Sequence, residues 1–249
     1  MDKPRHERAR SPVLVMALDF PAAAPALRMA GNVRGIVPWV KVGMELFSAE
    51  GPRVVHALKD LDFSVLLDLK LHDIPNTVQG TVRAATRLRA DMLTLHVAGG
   101  ERMIRAAVEA AHGIPHRPLL FGVTVLTSMA PGEFCVSRAQ SAKALANLAK
   151  KLAFHARAWG MDGVVCSGHE VRSIRQATGL RCLTPGIRPA RAVHNDQRRT
   201  VSPAGAVRAG SDYLVVGRPI TAAPDPVRAA EEILRDMQNA SHSLSFPVL

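Results

Sequence analysis

The chain has 249 residues, 47% hydrophobic and 21% charged, enough for one large domain with a substantial core. Lys and Arg number 32 against 21 Asp and Glu, giving a formal charge of +11 and a pI near 10.5, a balance that suits an anionic small molecule or nucleic acid. One Tyr, two Trp and seven Phe that do not alternate with the basic residues argue against base stacking and nucleic acid, and no stretch approaches the ~18 apolar residues of a membrane span.

In chain order, residues 1–12 are basic without a following signal core and are expected to form a flexible N-terminal tail. Val13 to Asp19 reads as a strand ending in a carboxylate, and the alanine-rich stretch from Pro21 to Asn32 as the helix after it. Val37 to Gly43 is the second strand, and Glu45 to Lys59 a helix interrupted near Gly51-Pro52. Ser64 to Lys70 is the third strand, with a helix opened at Asn76 or Thr77 and running to about Leu88. Met92 to His96 and Leu119 to Val125 are the fourth and fifth, separated by a helix from Gly99-Gly100 to Ala111. After a loop ending near Ser137, Leu145, Leu148, Leu152, Ala156 and Trp159 recur at helical spacing. Gly163 to Cys166, Arg181 to Thr184 and Tyr213 to Gly217 complete eight strands, with helices near 169–178, 203–209 and 226–238.

Eight such alternations predict a single (β/α)8 TIM barrel over residues 13–239, because parallel strands need crossover helices and eight units can close the sheet. Residues 240–249 are read as a C-terminal tail. An open doubly wound sheet is the competing fold, but the chain after the first strand reads ALDFPAAA and lacks a Gly-rich dinucleotide loop. Cys135, Cys166 and Cys182 cannot all pair and form no C-x-x-C, so reduced thiols and a cytoplasmic protein are expected.

Within LLDLKLHDIPNTV at 66–78, Asp68 and Lys70 are two apart on a strand and share a face, while Asp73 lies in the loop beyond. The three can surround one small volume. Opposite charges at close range favour the charged form, so Lys70 reads as an acid or a clamp and not as a Schiff-base nucleophile. In a barrel the chemistry lies at the carboxyl ends of the strands, and here those ends carry Asp19, Lys41, Asp68 with Lys70, His96, Thr127 with Ser128, and Arg218. Gly217 and Arg218 follow the eighth strand, where loop amides and a guanidinium suit a phosphate; Arg188 and Gln197 lie on the long preceding loop. No His/carboxylate set has a metal-ligand spacing.

DLKLHDIPNTV at 68–78, with ALD at 17–19, KVG at 41–43, VTVLTS at 123–128, TPGIRP at 184–189, DQRR at 196–199 and VVGRPI at 215–220, closely resembles the bacterial orotidine 5'-phosphate decarboxylases. D-x-K-x-x-D alone is shared with related sugar-phosphate enzymes; the later motifs are more specific. The resemblance implies that Lys70 protonates C6 of the pyrimidine as carbon dioxide leaves, in an alternating array of Lys41, Asp68, Lys70 and an Asp73 contributed by the other subunit of a homodimer. It further implies that Asp19 and Lys41 meet the ribose, that Thr77 also crosses the interface, and that Thr127 and Ser128 meet the base. Arg188, Gln197, Gly217 and Arg218 would hold the phosphate and its lid, with no metal or organic cofactor. A metal-dependent sugar-phosphate enzyme on the same barrel and a non-catalytic module binding nucleotide phosphates are the competing functions.

Overall fold

The computed structural model describes residues 11–133, 141–189 and 199–245. Eight parallel strands close in sequence order into a barrel: β1 (Val13–Ala17), β2 (Trp39–Gly43), β3 (Ser64–Leu71), β4 (Met92–His96), β5 (Leu119–Val123), β6 (Gly163–Val165), β7 (Arg181–Thr184) and β8 (Tyr213–Val216). The crossovers carry α1 (Ala23–Asn32), α2 (Met44–Glu50), α3 (Pro52–Asp60), α4 (Pro75–Arg87), α5 (Gly100–Ala111), α6 (Ala142–Ala158), α7 (Val171–Thr178), α8 (Pro203–Ala209), α9 (Arg218–Thr221) and α10 (Pro226–Ser245). The expected barrel is therefore present, and the open sheet is excluded. The loop end placed near Ser137, and Cys135, lie outside the described residues.

Strand side chains divide between two apolar layers, which is why the strands read as continuous apolar runs. Val15, Leu66, Met92, Phe121, Val165, Leu183 and Val215 fill the barrel interior. Their alternating neighbours, among them Leu14, Val40, Leu67, Leu93, Leu120, Val164 and Leu214, pack outward under the helices. Trp39, Phe121 and Tyr213 meet edge to face inside the barrel, with Tyr213 5.5 Å from Trp39 and 5.6 Å from Phe121 between ring centroids. Gly163 leaves room for this group, since a Cβ there would lie 2.4 Å from the Phe121 ring.

Helix starts and breaks follow local chemistry. Ser141 and Ser202 accept the N–H groups of Ala144 and Gly205 as side-chain caps of α6 and α8. Gly51, at φ +62°, separates α2 from α3, and Pro52 opens α3 without losing a helical hydrogen bond. Two elements differ from expectation. The residues after Gly217 form the single-turn α9 where a loop was expected, and α10 continues to Ser245, past residue 239 where the tail was expected to begin.

At the amino ends of the strands a pattern recurs that the sequence reading did not identify. Asp91, Asp162 and Asp212 stand immediately before β4, β6 and β8. Each carboxylate accepts a backbone N–H from the preceding strand: Val65 at 2.7 Å, Leu120 at 2.8 Å and Cys182 at 2.9 Å. Each also binds a cation from below the barrel: Lys59 at 2.6 Å, Arg117 through two 2.7 Å contacts, and Arg175 at 2.7 Å. These clamps tie alternate strand pairs together at the foot, the end of a barrel associated with stability.

The opposite end departs from regular pairing at one place. Leu67 pairs with Leu93 and Leu71 with Leu95, so four residues of β3 advance against two of β4. Asp68, Leu69 and Lys70 occupy this bulge, and Lys70 has the left-handed backbone angle φ +50°. A non-glycine residue held there costs ~1–3 kcal/mol and needs its surroundings to enforce it.

Candidate active site

The bulge turns β3 so that its polar side chains converge on a neighbour. Lys41, on β2 and 9% exposed, lies 2.8 Å from Asp19 and 3.8 Å from Asp68. Lys70 Nζ lies 2.7 Å from the same Asp68 oxygen, Oδ2. The chain of charges is therefore Asp19, Lys41, Asp68, Lys70, alternating in sign across the exits of the first three strands. Gly43 keeps the Lys41 end open, since a Cβ there would sit 2.9 Å from Lys41 Nζ.

Burial pushes the Asp68 carboxyl up, but Lys41 and Lys70 together with the hydrogen bonds from Lys70 and Thr94 outweigh it and hold the group below its ordinary value. Asp68 is thus a carboxylate fenced by two ammonium groups. His96, at the end of β4, is pushed below its ordinary value by burial, by His72 and by Lys70, against an opposing pull from Asp68. Its ring stands 5.5 Å from that of His72.

The four charges line one side of a cavity of about 500 Å³ at the barrel mouth. Val123, Val165, Leu183 and Val215 form its apolar part, Thr127 and Ser128 stand on the loop after β5, and Arg188, Gly217 and Arg218 complete the lining. Arg188 is pushed below the ordinary guanidinium value by burial and by the nearby charge of Arg218. Two guanidinium groups lining one cavity make a place suited to an oxyanion. Charges that stabilise an anion thus lie in the same cavity as a lysine able to deliver a proton, with an apolar surface between strand exits for a flat ring.

Most of the residues singled out in the sequence therefore come together: Asp19, Lys41, Asp68, Lys70, Thr127, Ser128, Arg188, Gly217 and Arg218 all line the cavity. Asp73 and Thr77 do not. Asp73 is exposed and accepts the N–H of Ile74 at 2.6 Å, and among the described residues no salt bridge joins it to a cation of its own chain. The expectation that Asp68, Lys70 and Asp73 of one chain surround a common volume is thereby corrected: Asp73, on the short loop between β3 and the helix start at Pro75, is exposed and is not part of the cavity lining. Gln197 lies outside the described residues.

Three features were missed. Thr94 of β4, fully buried, donates to Asp68 Oδ1 at 2.8 Å and accepts the Lys70 N–H at 3.0 Å. Thr221 of α9 also lines the cavity. Arg199, from the DQRR stretch, pairs with the buried Glu170 and donates to the carbonyl of Leu126 at 3.0 Å, one residue before Thr127. Only the polarity of Thr94 inside an apolar strand could have marked it in the sequence. Among the described residues no cluster of His, Cys, Asp and Glu could hold a metal ion, and no helix is long and apolar enough to cross a membrane.

Fold and site together define a (β/α)8 barrel with an array of alternating charges at the carboxyl ends of its strands. Residues 12–233 match the model of the orotidine 5'-phosphate decarboxylase / HUMPS family, and the chain belongs to that family. It is 57% identical over 231 residues to the orotidine 5'-phosphate decarboxylase of Nitratidesulfovibrio vulgaris (strain DP4), covering 90% of this chain and 97% of that protein. It is 48% identical over 226 residues to the enzyme of the same name from Lawsonia intracellularis, covering 89% and 97%. The crystal structure of orotidine 5'-phosphate decarboxylase from Lactobacillus acidophilus superposes with a TM-score of 0.78 at 35% identity, covering 92% of this chain and 99% of that one.

Proposed function

We propose that this protein decarboxylates orotidine 5'-phosphate to uridine 5'-phosphate, the last step of de novo pyrimidine nucleotide synthesis. The observation that carries the reading is that Lys70, 2.7 Å from Asp68, lines the same cavity as Arg188 and Arg218. The arginines, with Gly217 and Gln197, hold the phosphate; Asp19 and Lys41 hold the ribose, and Thr127 and Ser128 the base. The bond between C6 and the carboxyl carbon breaks, carbon dioxide departs, and the electron pair stays on C6. Lys70 then transfers an ammonium proton to that carbon.

The chemistry fits the electrostatics. Negative charge developing at C6 has no obvious sink in the ring, and an ammonium about 4 Å away contributes ~4 kcal/mol at an effective dielectric near 20. Because the cation is already in place, little reorganisation accompanies the reaction. Interactions with the remote phosphate add binding energy that can order the charged array.

A second copy of the chain completes the site in this reading. Asp73 and Thr77 are exposed beside Ile74 at 65%, and Met44, at the neighbouring strand exit, is 55% exposed. Exposed apolar side chains near a carboxylate that has no salt bridge among the described residues suit a homodimer in which each Asp73 reaches the Lys70 of the other copy. Mixing Lys70→Ala and Asp73→Asn proteins under subunit exchange should restore up to roughly a quarter of the activity, because one site in the mixed dimer is intact. No recovery in a mixture that demonstrably exchanges subunits would remove Asp73 from the site. Unbridged Cys166 and Cys182 accord with a cytoplasmic location.

The deciding assay follows loss of the orotate chromophore and release of carbon dioxide by chelator-treated protein. Turnover without added metal supports the reading. Activity that depends on added metal points to the sugar-phosphate branch, and unchanged substrate to a binding module.

A further inference from the structure

The β3 bulge leaves an irregular gap in the ladder to β4, and one hydroxyl occupies it. Thr94 lies between Leu93 and Leu95, which pair with Leu67 and Leu71, so that this one residue of β4 spans three of β3. Its polarity is determined by its partners. The Lys70 N–H can only donate, so the Thr94 oxygen accepts it at 3.0 Å, and the single hydroxyl proton then goes to Asp68 Oδ1 at 2.8 Å.

One side chain therefore holds both halves of the acid–carboxylate pair. The contact to the Lys70 N–H anchors a backbone at φ +50° that a lysine does not adopt by preference. The contact to Oδ1 fixes the rotation of the Asp68 carboxylate, so that Oδ2 faces Lys70 at 2.7 Å and Lys41 at 3.8 Å. Both contacts are shielded from water, Thr94 being 0% exposed.

We infer that Thr94 is a positioning residue for the proton transfer, setting where Lys70 Nζ stands through the bulge backbone and the Asp68 carboxylate. It touches neither the cavity nor substrate, so its loss should act on turnover and hardly on binding. This inference rests on the proposed decarboxylation, and wild-type turnover of orotidine 5'-phosphate separates a failure of that reading from a failure of this one.

The test compares wild-type protein with Thr94→Val, which keeps the shape and removes both hydrogen bonds, and with Thr94→Ser, which keeps the hydroxyl. Misplacing a reacting group by about 1 Å can cost on the order of 10²-fold. The valine protein should lose roughly 10- to 100-fold in kcat, while KM and the affinity for uridine 5'-phosphate change less than about threefold. The serine protein should recover most of the loss. The acid limb of the kcat profile should move to higher pH in the valine protein, because Asp68 has lost a donor.

A wild-type kcat in folded Thr94→Val overturns the inference, as does an equal loss in the serine and valine proteins. If the valine protein does not fold, Thr94→Cys, of similar size and with much weaker hydrogen bonds, carries the same expectations. A crystal structure of either variant gives a reading independent of activity. Lys70 leaving its left-handed conformation, or a lengthened contact to Asp68, supports the assignment; unchanged geometry at both sinks it.

Discussion

The two ends of the barrel use the same residue types at the same separations for opposite purposes. At the foot, Asp91, Asp162 and Asp212 each meet one cation at 2.6–2.7 Å and one strand N–H at 2.7–2.9 Å. Each of these aspartates has both partners within the chain, and the strand pairing beside it is regular, although Arg89 and His116 in the turns before β4 and β5 also have left-handed angles of φ +56° and +59°. At the mouth, Asp68 meets Lys70 at 2.7 Å and Lys41 at 3.8 Å, but the ladder is bulged, a lysine has a left-handed backbone, and the charges line a cavity. A short ion pair alone does not distinguish structure from chemistry. What distinguishes them is whether the strand ladder is regular and whether the charge adjoins a space that substrate can fill.

Lys70→Ala gives the largest separation between the two ends. General acid catalysis supplies about 10²–10⁴-fold, so turnover should fall by roughly 10³ or more while uridine 5'-phosphate still binds. Thermal stability should change little, because alanine keeps the Cβ and so the same left-handed strain, while Asp68 retains Lys41 and Thr94. A stability loss with turnover retained would place Lys70 among the structural pairs.

Asp162→Ala reverses that expectation. It removes two contacts to Arg117 and strands the Leu120 N–H. An unpaired backbone donor alone costs ~1–3 kcal/mol, while a partly exposed ion pair adds little. The variant should lose about 2 kcal/mol, lowering Tm by roughly 4–8 °C, with kcat per folded molecule unchanged. A drop in kcat without a change in Tm would erase the distinction drawn between foot and mouth.

The sequence disclosed the barrel because its strands are buried on both faces and its helices alternate with them, so apolar runs and amphipathic stretches stand apart. Strand-end polarity likewise revealed Asp19, Lys41, Asp68, Lys70 and Arg218. What stayed hidden depends on contacts between distant residues. LLDLKL reads as regular alternation, and the bulge at Lys70 becomes visible only against Thr94, 24 residues away. Asp73 is only three residues beyond Lys70 in the chain, yet it is exposed and outside the cavity lining, so sequence proximity did not decide its place. The foot clamps could have been sought, since an aspartate stands just before each of β4, β6 and β8, but a single acidic residue before a strand looks like ordinary loop polarity. The extension of α10 to Ser245 was hidden for a similar reason: its last turns are rich in Ser, Asn and His, which are weak helix formers.

The smallest expected effect concerns acid. His96 is held below its ordinary value by burial, His72 and Lys70, with Asp68 opposing, so the unfolded chain takes up this proton more readily than the folded one. Stability from this group therefore rises with pH, and is lost as pH falls below about 6.5, the ordinary histidine value. Asp68 acts in a separate window: its lowered carboxyl contributes stability above its unfolded value, which is lost only as pH falls further, through the folded one. His96→Gln removes the first window and leaves the second. Between pH 7.5 and 5.0 the wild-type Tm should fall by roughly 1–3 °C more than that of the variant, a small difference because the ring is only half buried. Parallel Tm curves would show that the mouth tolerates a third cation beside Lys41 and Lys70. Its positive charge would then be less finely balanced than the contacts of Asp68 imply.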